Sequence, residues 1–241
     1  MRVRSCAISD VGRKRQKNED SYLINDELSL FVVADGMGGH AGGEYASRIA
    51  ITTIEEKFKQ NQSSPAPLEE TVSKAIQEAS TKIIAKAEED RALKGMGTTV
   101  VCLHLDGKRA ILGHVGDSRA YLFRDGVLEQ LTEDHSLVNE QVKTGLITAE
   151  EAKTHQFKNI ITRSVGVTSD VEVDVVIKKL KIGDSFLICS DGLSNLVEAK
   201  EMEKELRERE TVLAAKSMVD LANKRGGDDN ITLLLVEILD V

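Results

Sequence analysis

Of the 40 acidic residues in this chain, a few stand where a carboxylate can be held rigidly enough to do chemistry. The sequence has four Asp-Gly pairs. Asp106-Gly107 and Asp125-Gly126 each sit between two strand-like runs, where Asp-Gly signals a hairpin turn. Asp35-Gly36 and Asp191-Gly192 differ. Each directly follows an apolar run, F-V-V-A and F-L-I-C-S, and neither is followed promptly by another strand. A carboxylate at the end of a core strand suits a metal ligand, although either pair taken singly reads more readily as a turn. Beyond Asp35, residues 36–43 contain five glycines in eight positions. So many glycines imply close approach of the main chain to something bulky or charged. The Lys-Ser/Thr of a Walker phosphate loop is missing, and no G-x-G-x-x-G opens a βαβ unit.

Three further clusters carry charge. Val115-Gly116-Asp117-Ser118-Arg119 interrupts two strand-like runs. Gly226-Gly227-Asp228-Asp229-Asn230 precedes the last such run, and adjacent aspartates are unfavourable unless solvated or neutralised by a cation. Arg13 to Asp20 mixes basic residues with a Glu19-Asp20 pair, and beside a metal its arginines could clamp a phosphate. Each of these alone reads as an exposed turn or a solvated loop. Oxygen-only donors select hard cations such as Mg²⁺ or Mn²⁺. No H-E-x-x-H or Cys/His spacing argues for zinc, and no G-x-S-x-G elbow argues for a serine nucleophile. Cys6, Cys102 and Cys189 are far apart and read as reduced thiols. Several aspartates at strand ends with an arginine fit metal-assisted hydrolysis of a phosphate ester, with two ions about 3.5–4 Å apart.

The elements that must position these residues follow from periodicity. Residues 43–60 and 68–87 show helical apolar spacing, separated by a loop holding Pro65 and Pro67. A third helical region runs from about Glu198 to Lys224, broken near Arg209. Strands are expected at 30–34, 98–105, 110–115, 120–123, 173–177, 185–189 and 231–238. Several are almost continuously apolar, which implies burial on both faces. The two hairpins make the pairing antiparallel. Together these features predict packed sheets covered outside by helices. Residues 132–165 break the pattern and read as a small polar helical insertion over the sheet: Gly145 ends one short helix, and Thr148 to Glu151 has capping-box spacing to start another.

Composition bounds the rest. The chain has 241 residues, a formal net charge of −8, 3% aromatic residues and no Trp. An acidic surface without stacking platforms excludes nucleic acid. No apolar run is long enough for a membrane span, and the first residues lack a signal-peptide core. A hydrophobic content of 41% supplies a sizeable core. A cytoplasmic globular protein, monomeric because nothing calls for more, is expected.

Taken in order, the segments resemble the metal-dependent protein phosphatases of type 2C, in their bacterial form. The matches are R-x-x-N-E-D at 15–20, V-V-A-D-G-M-G-G-H-A-G-G-E at 32–44, M-G-T-T at 96–99, V-G-D-S-R at 115–119, D-H-S at 134–136, I-T-R-S-V-G at 161–166, S-D-G-L at 190–193 and G-G-D-D-N at 226–230. The resemblance implies an α+β fold: a four-layer α/β/β/α sandwich of two antiparallel sheets flanked by helices, forming one catalytic domain over 1–241 with a flap at about 132–165. It implies hydrolysis of phosphoserine and phosphothreonine in proteins by a metal-activated water, using two Mn²⁺ or Mg²⁺ ions and a third, weaker one. Asp35 would bridge two ions, with the Gly36 carbonyl on one of them and Asp191 and Asp229 on the other. Asp117 would hold the third ion, shared with Asp191. Glu19 and Asp20 would bind metal waters, and Arg15 the substrate phosphate. Where animal relatives carry a histidine proposed as general acid, this chain has Met37, and His40 is the nearest histidine; the proton for the leaving alkoxide is assigned to His40 or to a metal-bound water. His155 in the flap is placed near substrate, and His104 and His114 are read as structural. Phosphorylated proteins and a cognate Ser/Thr kinase system are the expected partners. The competing readings are a metal phosphoesterase of small molecules and a non-catalytic phosphoprotein-binding module.

Overall fold

The apolar runs pair as two antiparallel sheets in a computed structural model, which describes residues 1–38, 42–63 and 66–241. His40 and Pro65, singled out above, lie outside the described residues. In chain order the elements are β1 (Arg2–Asp10), β2 (Asp20–Asn25), β3 (Leu30–Met37), α1 (Gly42–Ser63), α2 (Leu68–Glu89), β4 (Gly97–Thr98), β5 (Val100–Leu105), β6 (Arg109–Val115), β7 (Arg119–Arg124), β8 (Val127–Gln130), α3 (Leu137–Lys143), α4 (Ala149–Thr154), β9 (Asp174–Lys179), β10 (Ser185–Cys189), α5 (Asp191–Ser194), α6 (Ala199–Glu208), α7 (Thr211–Lys224) and β11 (Ile231–Asp240). One sheet has the order β1-β11-β10-β7-β8. The other runs β2-β3-β5-β6-β9, with β4 paired to β3.

Period-two alternation explains why the strands read as continuous apolar runs. Along β3, Phe31 and Val33 point between the sheets, where they meet Phe186, Ile188, Leu234 and Val236. Leu30, Val32 and Ala34 point the other way, onto Ala46, Ile54, Val72 and Ile76 of α1 and α2. On the opposite side Leu187, Leu233 and Leu235 pack on Met202, Ala215 and Met218 of α6 and α7. Three apolar layers therefore separate helices, sheet, sheet and helices, and the expected four-layer α+β sandwich is observed.

The structure corrects three local expectations. Asp35 is not at the end of its strand: β3 continues to Met37, and Asp35 pairs with Asp20 of β2. The expected strand 98–105 is broken at Thr99, which leaves the ladder and donates its N–H to the Asp35 carbonyl at 2.9 Å. Strands β1 and β2 were not expected, because their charged and polar residues mask a short apolar alternation at sheet edges. In the flap, α3 ends before Gly145, whose φ of +73° suits glycine, and the Thr148–Glu151 capping box forms in both directions.

Candidate metal centre

Five acids converge at one end of the sandwich. Asp20 opens β2 and Asp35 lies opposite it on β3 in one sheet. Asp191 opens α5, two residues beyond the end of β10, and Asp229 stands two residues before β11 in the other sheet. Asp117 lies in the turn that carries the chain from β6 in one sheet to β7 in the other. Strands of both sheets and the segments adjoining them thus hold the carboxylates on a rigid core. Asp35, Asp117, Asp191, Asp229, Glu19 and Arg15 line a cleft of about 580 Å³, which Asn159 and Ile161 of the flap also border. The structure brings together Arg15, Glu19, Asp35, Gly36, Asp117, Asp191 and Asp229, with Asp20 buried behind them.

Close packing of main chain makes this convergence possible. A Cβ on Gly36 would strike the carbonyls of Gly43 and Glu19, and one on Gly43 would come within 2.8 Å of the Glu19 carboxyl. The glycines flanking the undescribed segment are thus where the main chain passes the Glu19–Asp20 loop.

The electrostatics of the cleft are unbalanced. Burial pushes the Asp20 carboxyl up to about 7, and Asp191 and Asp229 push the same way against the hydrogen bond from Ser190. Burial, then Asp20, Asp191, Asp117 and Asp229, hold Asp35 well above the usual carboxylate range. Asp117 is raised to about 7 by burial, then Asp191 and Asp134. Asp191 is raised by burial and Asp229, and Glu19 by burial against the pull of Arg15. Among the described residues, only Arg15 forms an ion pair with these acids, its Nη2 2.7 Å from Asp229 Oδ2. Asp20 Oδ2 accepts from the Ser190 hydroxyl at 2.8 Å, whereas its buried Oδ1 has no partner. A cluster of hard oxygen donors with this much uncompensated charge, and an orphaned carboxylate oxygen, fits divalent cations of the Mg²⁺ or Mn²⁺ type.

Some supporting residues were not recognised from sequence. The Thr99 hydroxyl accepts the Asp35 N–H at 3.1 Å, and the Thr98 hydroxyl donates to the Asp35 carbonyl at 2.9 Å. The Asn230 amide accepts the Glu19 N–H at 2.8 Å and donates to the carbonyls of Val11 and Lys17, both at 2.9 Å. It thereby ties the Arg15–Asp20 loop to the Asp229 loop. The available signal was adjacency: Ser190 and Asn230 each directly neighbour a ligand-type aspartate. Beyond Asp117 and Asp191, the cleft continues into a groove of about 1010 Å³ between α3 and α4 of the flap and the α5–α6 segment. His155 caps α4 beside Phe157 and does not border the cleft. His104 and His114 are embedded in β5 and β6.

The adjacent aspartates separate cleanly. Asp228 points away and pairs with Lys14 at 2.6 Å on the exposed surface, whereas Asp229 faces the cleft. Exposed pairs contribute little. Asp228→Ala is expected to leave turnover and the melting temperature near wild type, and Asp229→Ala to slow turnover at least about 100-fold, the loss of several kcal/mol of metal assistance. Phosphate-release kinetics of the two variants check this ordering, and the reverse order would exchange their roles.

Comparison with known proteins agrees with this geometry. The family described as "Protein phosphatase 2C" matches residues 12–224. The serine/threonine phosphatase stp of Listeria innocua is 41% identical over 235 residues, covering 95% of this chain and 93% of that protein. The serine/threonine phosphatase PstP/Ppp of Mycobacterium tuberculosis superposes with a TM-score of 0.92 at 36% identity, covering 98% of this chain and 99% of that one. A structure of the PstP catalytic domain in complex with two manganese ions superposes with a TM-score of 0.89 at 36% identity, covering 99% of each chain.

Proposed function

The chain belongs to the protein phosphatase 2C family, and from that premise we propose that it is a Mn²⁺- or Mg²⁺-dependent serine/threonine phosphatase acting on phosphorylated proteins. The observation that carries this reading is the cluster of carboxylates lining one cleft, countered among the described residues by a single ion-paired arginine. Asp35, the Gly36 carbonyl, Asp191 and Asp229 would hold two ions, and Asp117 with Asp191 a third, weaker one. Bound there, the cations would polarise the phosphoryl oxygens and lower the pKa of water to yield a nucleophile near neutral pH.

The chain's own residues do the rest. Arg15, whose Nη2 lies 2.7 Å from Asp229 Oδ2, would bind the substrate phosphate, its planar guanidinium suited to two phosphoryl oxygens. Glu19 and Asp20 would accept hydrogen bonds from water, the Ser190 hydroxyl orienting the Asp20 carboxylate and the Asn230 amide holding the Glu19 main chain. His40 is our proposed proton donor to the leaving alkoxide. The groove of about 1010 Å³ beside the flap offers a course for the polypeptide on one side of the phosphorylated residue. Residues 1–241 are read as one catalytic domain with its flap at 132–165. None of the described helices is long and apolar enough to cross a membrane. We place the protein in the cytoplasm, opposing a Ser/Thr kinase.

Metal-stripped protein is expected to leave a phosphothreonine peptide intact, to release phosphate when Mn²⁺ is added, and to stop when EDTA is added. Turnover that survives thorough chelation, or hydrolysis of p-nitrophenyl phosphate with no action on any phosphopeptide, would overturn the proposal.

A further inference from the structure

Away from the carboxylate cluster, His114, His135 and Asp174 bring three ligand-type atoms within 4.8 Å of one another. A positive charge already fills that space. Arg163 Nη1 donates to Asp174 Oδ1 at 2.8 Å and lies 3.2 Å from His135 Nε2, while Nη2 bonds Glu172 at 2.9 Å. The group is a frame built around His135 rather than a second metal centre.

The partners of the imidazole assign its tautomer. Nδ1 accepts the Gly116 N–H at 3.0 Å, so it carries no proton. The proton of the neutral ring therefore sits on Nε2, facing Asp174 Oδ2 at 3.2 Å. Burial lowers the pKa of His135, which favours this neutral form, although the hydrogen bond that Asp174 accepts opposes it. The His114 ring, buried in β6, stacks on the imidazole with ring centroids 4.6 Å apart and closes one face.

His135 grips Gly116 twice, because its own N–H also donates to the Gly116 carbonyl at 2.8 Å. Gly116 needs such support: its φ of +112° is a backbone shape that L-residues rarely adopt. On the other side of the same turn, Asp134 takes the Arg119 guanidinium in two bonds, at 2.9 and 2.6 Å. The flap root residues 134 and 135 thus clamp the positions on both sides of Asp117. His135 also anchors the far end of the flap, since its carbonyl accepts the Thr162 N–H at 2.8 Å.

We infer that His135 is a positioning residue whose Nδ1, through the Gly116 N–H, holds the Asp117 carboxylate where a cation can be bound. The inference rests on the reading of Asp117 as a ligand of the third, weaker ion. Two substitutions separate the two ends of the ring. His135→Gln would keep a donor toward Asp174 but lose the acceptor for Gly116, whereas His135→Asn would place an amide oxygen where Nδ1 stands and lose the Asp174 bond.

The test counts bound Mn²⁺ from the free-ion electron paramagnetic resonance signal, which needs no turnover. Retention of the tight ions in every variant serves as the check on folding. Asp117→Asn is expected to lose the weak ion. His135→Gln is expected to weaken that ion by about 10-fold, the usual penalty for removing a residue that orients a ligand, and His135→Asn by no more than about 2-fold. A purely structural His135 would give the opposite order, because the glutamine variant keeps the Asp174 anchor; equal loss in both variants, or no loss with His135→Gln, overturns the inference alone. Retention of the weak ion by Asp117→Asn overturns the Asp117 reading and the inference with it.

Discussion

The Asp35→Asn variant is expected to turn over a phosphothreonine peptide at least about 1000-fold more slowly than the wild type, a barrier increase of about 4 kcal/mol, while its metal-free form is expected to melt at a higher temperature at neutral pH. The two effects share one cause. Asp35 is the acid most hemmed in by others: burial first, then Asp20, Asp191, Asp117 and Asp229 raise its pKa well above 3.8. In the proposed metal centre that negative charge would help hold the cations, a role a neutral amide would fill poorly. Without cations it is a liability, since the folded protein must either hold a proton that the unfolded chain releases or carry a charge that its neighbours repel. An isosteric amide removes this penalty. The backbone contacts of residue 35 with Thr98 and Thr99 do not involve the carboxyl and survive the change. The stabilisation disappears below about pH 4, where both states of the wild type are protonated. Calorimetry on stripped proteins at about pH 4 and about pH 7, beside phosphate-release kinetics, reads both halves. A metal-free variant less stable than wild type at neutral pH would contradict the assignment.

The stabilisation of the wild type by Mn²⁺ grows as pH rises from about 4 to about 7. Asp20 and Asp117 go from an unfolded value of 3.8 to about 7 when the metal-free protein folds. Between those values the folded state binds more protons than the unfolded state, so stability falls as pH rises. Each unit of such a shift corresponds to about 1.4 kcal/mol. Their contribution is complete below 3.8 and is lost by about 7. Buried histidines act in the opposite sense: His114, lowered to about 3 by burial and His135, favours folding as pH rises. They titrate with or without cations, so the gap between metal-free and Mn²⁺-saturated melting temperatures isolates the acids. That gap should widen steeply across the window, with protons released on Mn²⁺ binding in a pH-jump or calorimetric titration. A gap independent of pH would show that the raised carboxylates do not receive the cations.

The four layers were legible because the inner strands are apolar on both faces and two Asp-Gly turns join them. Phe31 and Val33 face one layer while Leu30 and Val32 face another, and that arrangement leaves a continuous apolar run in the sequence. The edge strands were not legible. Arg2 to Asp10 and Asp20 to Asn25 bury less and alternate with charge, so they resemble loops. In the site, the acids stood out where they interrupt or adjoin apolar runs, but each alone read as a turn, and it was the ordered resemblance that named them as ligands. Their convergence could not be derived from spacing, since it depends on both sheets ending at one point in space. The break at Thr99 is of the same kind: nothing local in M-G-T-T-V-V signals that this threonine abandons its ladder for the Asp35 backbone. Gly116 and His135, 19 residues apart in sequence, meet only because the flap root folds back over the β6–β7 turn.

An anomalous difference map from Mn²⁺-soaked crystals of this protein locates the cations without reference to turnover. Two strong peaks are predicted, both in contact with Asp35, one also touching the Gly36 carbonyl and the other Asp191 and Asp229. A map with no density among these carboxylates, or with its strongest peak at His114, His135 and Asp174, would contradict the metal centre on which the phosphatase assignment rests.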